Sequence, residues 1–268
     1  MTFLAVHGLG GSSSNWDVLA PLLAGTVVAV DLPGFGLSPP HPGDAIDGYA
    51  ALLGDMIDRL PRPLVLIGNS LGGTVAEYVA ARHDVDRLVL IAPATPPPVG
   101  SPPADLSVAL RLVRQTLPVT GPRYTRKLAE SKTPMGQVRE LMSIVAADPA
   151  AISLDYIENS VELTRLRRNL PWTYAAYTHA ARSLAGRLVR RRSFFEMIDQ
   201  IDMPTMLIWG TEDRLVSPQS LRDLARRRPD WQAVEMPGIG HVPMLEAPAT
   251  VADLLEDWLS ATSESLAG

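Results

Sequence analysis

Pro63-Leu64-Val65-Leu66-Ile67-Gly68-Asn69-Ser70-Leu71-Gly72 is the stretch on which the reading of this chain turns. An apolar run comes first, then Gly-x-Ser-x-Gly, and a helical pattern follows from Thr74 to Ala81. Strand, tight turn and helix are the setting of a nucleophile elbow. The turn strains the serine backbone and leaves no room for bulky side chains beside it, a need that Gly68 and Gly72 meet. Its geometry lifts the Ser70 hydroxyl clear of the sheet, where a base can reach it.

Three further motifs stand in the order this elbow requires. Asp213, in Trp209-Gly210-Thr211-Glu212-Asp213-Arg214, follows the apolar run 205–209 and is the expected acid, with Glu212 as its adjacent rival. His241, in Gly238-Ile239-Gly240-His241-Val242-Pro243, follows the strand pattern 233–236 and is the expected base. A serine hydroxyl is a poor nucleophile until an imidazole takes its proton. The imidazole in turn needs a carboxylate on its other nitrogen to hold the right tautomer. His7-Gly8-Leu9-Gly10-Gly11 follows the first apolar run, 3–6. Its backbone N–H at Leu9, or failing that at Gly10, is expected to form an oxyanion hole with the N–H of Leu71.

Together these residues resemble the capped branch of the α/β-hydrolase superfamily, over nearly the whole chain. His7-Gly8, Asp31-Leu32-Pro33-Gly34-Phe35-Gly36-Leu37-Ser38, the elbow, Gly210-Thr211-Glu212-Asp213 and Gly240-His241 match family motifs in family order. The Asp31 loop is typical of bacterial carboxylesterases, C–C bond hydrolases and cofactor-free haloperoxidases. Epoxide hydrolases and haloalkane dehalogenases place aspartate at the elbow, and Ser70 argues against both. The resemblance implies a cofactor-free serine hydrolase acting on a carboxylic ester. It also leaves open C–C hydrolysis, lactone opening, lyase chemistry or perhydrolysis on the same residues. A small-ligand receptor is the reading from another class. Family members begin with two strands ahead of the His-Gly loop. Here that strand starts at Thr2, so the expected sheet has about six strands, with an exposed edge.

Strand-like runs at about 2–7, 26–30, 63–68, 87–92, 205–209 and 232–236 alternate with helical patterns at about 15–24, 45–60, 71–82, 218–228 and 247–260. That alternation predicts an α/β fold with a doubly wound, mainly parallel sheet, whose ligands sit at the carboxyl ends of its strands. It breaks between about 95 and 198, after the stiff exit Pro96-Pro97-Pro98. Helical periods at about 104–117, 122–131, 135–147, 150–168 and 171–192 predict an inserted cap. The expected division is a core of 1–94 and 199–268 and a helical cap of 95–198. Trp172 and Phe194 of the cap region, with Val242, are the expected pocket residues.

Composition narrows the classes. The 268 residues suffice for one large core with a lid, and 46% hydrophobic content is ordinary for a globular protein. A net charge of −5 disfavours nucleic acid. The absence of cysteine excludes disulfides and thiol chemistry and fits a reducing cytoplasm. No signal peptide is recognisable, and no apolar run approaches the ~18 residues of a membrane span. The expected partners are a small-molecule substrate, no nucleic acid and no membrane, with the chain a monomer or homodimer. No two histidines have metal-ligand spacing, so neither metal nor cofactor is expected. His7 reads as a brace for its loop, His41 as an exposed loop residue, His83 as a helix-end residue and His179 as a cap residue. Two arginine clusters, 165–168 and 187–192, read as a solvated face or as a device for an acidic substrate.

Overall fold

The structure, a computed structural model, describes the backbone of residues 1–267 and the side chains of residues 1–262. Six strands form one sheet: β1 (Thr2–Val6), β2 (Thr26–Val30), β3 (Leu64–Asn69), β4 (Arg87–Ile91), β5 (Thr205–Gly210) and β6 (Gln232–Met236). Their order is β2-β1-β3-β4-β5-β6, and every neighbouring pair is parallel. The four central strands are buried along their whole length. This explains their unbroken apolar runs: both faces are covered, so no polar alternation is needed.

Side chains still alternate between the faces with period two. Leu64, Leu66, Leu88, Leu90 and Leu207 join one core, with α1 (Ala45–Ile57), α2 (Leu71–Ala80) and α9 (Pro218–Arg227). Val65, Ile67, Val89, Ile91 and Ile208 join the other, with α10 (Pro243–Glu246) and α11 (Pro248–Ala267). All ten residues of α2 are buried, which fixes the helix that follows Ser70 between sheet and neighbours.

Between β4 and β5 lie α3 (Leu106–Gln115), α4 (Thr120–Glu130), α5 (Pro134–Val145), α6 (Leu154–Arg168), α7 (Thr173–Val189) and α8 (Arg191–Ile198). These helices are not a free-standing layer. Val138 and Met142 of α5 pack in one core, and Phe194 and Ile198 of α8 pack in the other.

Two helix expectations are corrected. The span 15–24 is not a helix but two short 3₁₀ turns, Ser13–Trp16 and Ala20–Leu22. Pro21 lacks the N–H and collides with the preceding turn, so an α-helix cannot run through it. The helix expected at 171–192 is two helices, broken at Arg190, whose φ −81 and ψ 53 leave the helical region. No helix among the described residues is long and apolar enough to cross a membrane.

Candidate active site

Leu9, Ser70, Asp213 and His241 lie on the loops that follow the carboxyl ends of β1, β3, β5 and β6. Ser70 holds φ 54 and ψ −118, a region that costs a residue with a Cβ about 1–3 kcal/mol. Its N–H donates to the Ile91 carbonyl at 3.0 Å, which holds the bend against the next strand. A Cβ on Gly68 would overlap the Gly72 carbonyl, and one on Gly72 would overlap the Val6 carbonyl. The Asn69 amide donates to the carbonyls of Ile91 (3.1 Å) and His241 (3.2 Å), joining elbow to histidine loop.

Asp213 Oδ2 lies 2.7 Å from His241 Nδ1, with both side chains buried. The other carboxylate oxygen accepts the N–H groups of Leu215 (2.8 Å) and Val216 (2.9 Å), so Asp213 cannot rotate away. An acceptor at Nδ1 favours the tautomer with its proton there and leaves the Nε2 lone pair free to take another. Glu212 is exposed and, among the described residues, its side chain accepts only from its neighbour Thr211 Oγ1, at 3.3 Å.

The histidine loop is also held from the insertion. The His241 N–H donates to the Val145 carbonyl at the end of α5, at 2.6 Å. The buried Glu246 carboxylate accepts from Ala147 N (2.9 Å), Asp148 N (3.5 Å) and Gly240 N (3.3 Å). Burial pushes the pKa of Glu246 up, opposed by those three N–H groups.

Among the described residues, the N–H groups of Leu9 and Leu71 have no hydrogen-bond partner in the protein. The loop that carries Leu9 turns through Gly10 at φ +81, and Gly11 N–H donates to Gly8 O at 3.0 Å. His7 is fully buried beneath it: Nδ1 donates to Gly8 O (2.7 Å) and Nε2 accepts from Leu32 N (3.1 Å). Burial pushes its pKa down to about 4, so it is neutral at pH 7 and ties the Leu9 loop to the Asp31 loop. Asp31 accepts from Ser13 N (2.7 Å) and Leu37 N (3.1 Å), which closes its own loop onto the same region.

Ser70 and His241 open into a cavity of about 400 Å³. Its walls are mostly aliphatic, with Leu112 and Val113 from α3, Leu184 and Leu188 from α7, and Val242 beside the histidine. Two expected pocket residues lie elsewhere. Phe194 is wholly buried in the core under α2, edge-on to Phe195 with ring centroids 5.6 Å apart. Trp172, which precedes α7, is not part of the cavity wall. Both were aromatic residues whose destination depends on how the helices fold back, which periodicity does not encode. Tyr177, Arg167 and Gln115 do line the cavity. Tyr177 is one of five cap-region aromatics, with Trp172, Tyr174, Phe194 and Phe195, of which one or two are expected in the pocket, and its i, i+4, i+7, i+8 spacing with Ala181, Leu184 and Ala185 puts it on the cavity face of α7. Among the described residues, no group of three His, Asp or Glu side chains is placed to hold a metal ion.

Comparison with known proteins agrees with this architecture. The chain is 28% identical over 272 residues to the pimeloyl-acyl-carrier-protein methyl ester esterase of Neisseria meningitidis, covering 95% of this chain and 91% of that one. It is 23% identical over 272 residues to the human monoacylglycerol lipase ABHD6, covering 97% and 75%. A thermophilic esterase from Thermogutta terrifontis has the same fold, with TM-score 0.65 and 24% identity over 97% of this chain and 90% of that one. The sequence model of the alpha/beta hydrolase family matches residues 3–254. The chain therefore belongs to the alpha/beta hydrolase family.

Proposed function

We propose that this chain is a serine hydrolase that cleaves a carboxylic ester of small to medium size. The observation that carries the reading is the buried Asp213–His241 contact of 2.7 Å, on the rim where the strained Ser70 opens into the cavity. The esterase and lipase relatives support the same chemistry. Ser70 Oγ attacks the ester carbonyl carbon, and its proton passes to His241 Nε2. The carbonyl oxygen becomes an oxyanion held by the N–H groups of Leu9 and Leu71. As the C–O bond breaks, His241 returns that proton to the leaving alcohol. Water, deprotonated by His241, then attacks the acyl-enzyme carbonyl; as the acyl–Oγ bond breaks, His241 gives that proton to Ser70 Oγ and the acid is released. Asp213 keeps the imidazole in its tautomer and favours its charged form. The helices α3–α8 act as a cap that excludes water and shapes the pocket. Their aliphatic, ligand-sized cavity suits short to medium acyl chains better than long-chain triglyceride emulsions.

The test is fluorophosphonate labelling followed by a panel of nitrophenyl esters from two to sixteen carbons. Mass spectrometry should place the adduct on the peptide that contains Ser70, and an adduct on another serine would sink the assignment. C–C bond hydrolysis of an acidic diketone is the second reading, favoured by the presence of Arg167 in the cavity wall. It moves ahead if Ser70 labels and no ester in the panel turns over.

A further inference from the structure

The arginines of the two clusters are mostly occupied. Arg165 pairs with Glu162 at 3.1 Å on the surface, and Arg192 with Glu196 at 2.8 Å. Arg168 donates to the carbonyls of Ala129 (2.8 Å) and Lys132 (2.7 Å) and to Gln137 Oε1 (3.0 Å). Arg187 pairs with Asp44 at 3.0 Å and Asp47 at 2.6 Å. Arg191 donates to the carbonyls of Pro96 and Pro97.

Arg167 differs. Among the described residues it has no carboxylate within ion-pair distance, and its only protein acceptor is the Gly10 carbonyl, 2.8 Å from Nη1. A guanidinium carries five N–H donors, so four are left without a protein partner. The acid that acts on it through space is Asp31, whose oxygens are already taken by Ser13 and Leu37. Its charge is partly desolvated, since burial pushes its pKa down, yet an arginine at this depth stays protonated. A desolvated cation without a counter-charge is costly, so its retention in the wall of a binding cavity calls for an anion that arrives from outside.

Its position says where. Ser160, Thr164 and Arg167 fall on one face of α6, and all three line the cavity. At Arg167 the cavity meets a second, smaller one of about 170 Å³, whose walls share Gln115 and Tyr177 and add Gln137 and Glu140, a carboxylate already paired with Arg111 (3.2 Å) and Lys132 (2.5 Å). Along α7 the wall then runs from Tyr177 to the aliphatic Leu184 and Leu188. Eleven residues of helix separate Tyr177 from Leu188, about 16 Å at the α-helical rise. The pocket is therefore polar and cationic at one end and aliphatic at the other.

We propose that Arg167 forms an anion subsite, and that the substrate is an ester carrying a carboxylate or phosphate-type group on an apolar chain. This deepens the ester-hydrolase reading and rests on it. Arg167 sets specificity; no bond is made or broken at it.

The test compares three nitrophenyl esters of matched length: neutral hexanoate, the half-ester of adipic acid and the ester of 6-phosphonohexanoic acid. Wild type should favour one or both anionic esters over hexanoate by about 10-fold or more in kcat/KM. Arg167→Gln should lower kcat/KM for the favoured anionic ester by about 30-fold, chiefly through KM, and for hexanoate by less than about 3-fold. Arg167→Lys should recover part of the loss, because charge returns without the fork. No anionic preference in wild type would overturn the subsite. So would an equal loss on all three esters in Arg167→Gln, since that is the mark of a strut that only braces Gly10. If no ester is cleaved while fluorophosphonate still labels Ser70, the ester reading fails separately. The subsite is then read from adipate, which should slow labelling of wild type and not of Arg167→Gln; equal effects would overturn it.

Discussion

The sheet coheres almost wholly by apolar burial, whereas the helices between β4 and β5 add polar ties to the apolar contacts they share with the cores. In the sheet, Leu4, Leu64, Leu66, Leu88, Leu90 and Leu207 are wholly buried, and parallel pairing sets their register. In the helical insertion, arginines reach across to backbone carbonyls and carboxylates: Arg168 ties α6 to the ends of α4 and to α5, and Arg111 and Lys132 share Glu140 of α5. Apolar packing is short-ranged and dense, so it holds loops at its rim to fixed positions. Long polar side chains bridge gaps and tolerate uneven surfaces. On the proposed function, the difference is a division of labour: the sheet region would hold the reacting groups, and the insertion would decide what reaches them.

The largest effect should come from the sheet rim. Ser70→Ala should lower kcat by about 10⁴-fold or more while circular dichroism and the melting temperature are retained. Substantial turnover in that variant would place the chemistry elsewhere and end the comparison. Asp213→Asn should cost about 10³- to 10⁴-fold, because it favours the wrong imidazole tautomer. Glu212→Gln, at an exposed side chain next door, should cost less than about 3-fold. Reversed effects would show the acid to be misassigned.

Acid should attack the rim before the insertion. His7 has a folded pKa of about 4 against an ordinary value of 6.5. Between those values the unfolded chain binds a proton that the native state refuses, so stability falls as pH drops from 6.5 to 4. Below about 4 both states are protonated and this loss ends. The total is about 3 kcal/mol, measured by urea denaturation across that range. His7→Gln should flatten the slope; an unchanged slope would assign it to other groups.

In the insertion the effects should be smaller and of another kind. Leu188→Ala should alter the ratio of kcat/KM between eight- and four-carbon nitrophenyl esters by about 10-fold and leave the pH profile of kcat in place. A shifted pH profile would blur the division between regions. The smallest change should be a gain. Glu77 of α2 is fully buried, both its carboxylate oxygens lack a partner among the described residues, and burial raises its pKa well above the usual range. Its folded form therefore prefers the proton, and stability is lost as pH rises above the ordinary carboxylate range. Glu77→Met should add about 1 kcal/mol at pH 7, with less gain at pH 5. No gain would mean that the carboxyl finds a partner in solution.

Legibility in the sequence followed the same divide. The strand runs, the loops after them and the Gly68 and Gly72 positions could be placed because short apolar runs and tight turns are local properties. Pro21 is itself a local signal: one proline turns the expected helix into two short turns. The insertion was legible as helices but not as a packed object. Phe194 and Trp172 looked like pocket residues because they are aromatic, yet one is core under α2 and the other stands outside the cavity. Arg167 was indistinguishable from Arg165 and Arg168 in a run of charges. Only the folding of α6 over the Leu9 loop separates a cation at the surface from one in the cavity wall.

The bond from His241 N–H to Val145 O has a consequence for timing. The end of α5 is fastened to the residue that would relay the proton, and Glu246 clasps both sides of the joint. Any excursion that lifts this part of the insertion also unseats the imidazole. If His241 relays the proton as proposed, an opening on the α5 side would interrupt the relay, and a substrate entering there would be cut only once the end of α5 had returned to His241.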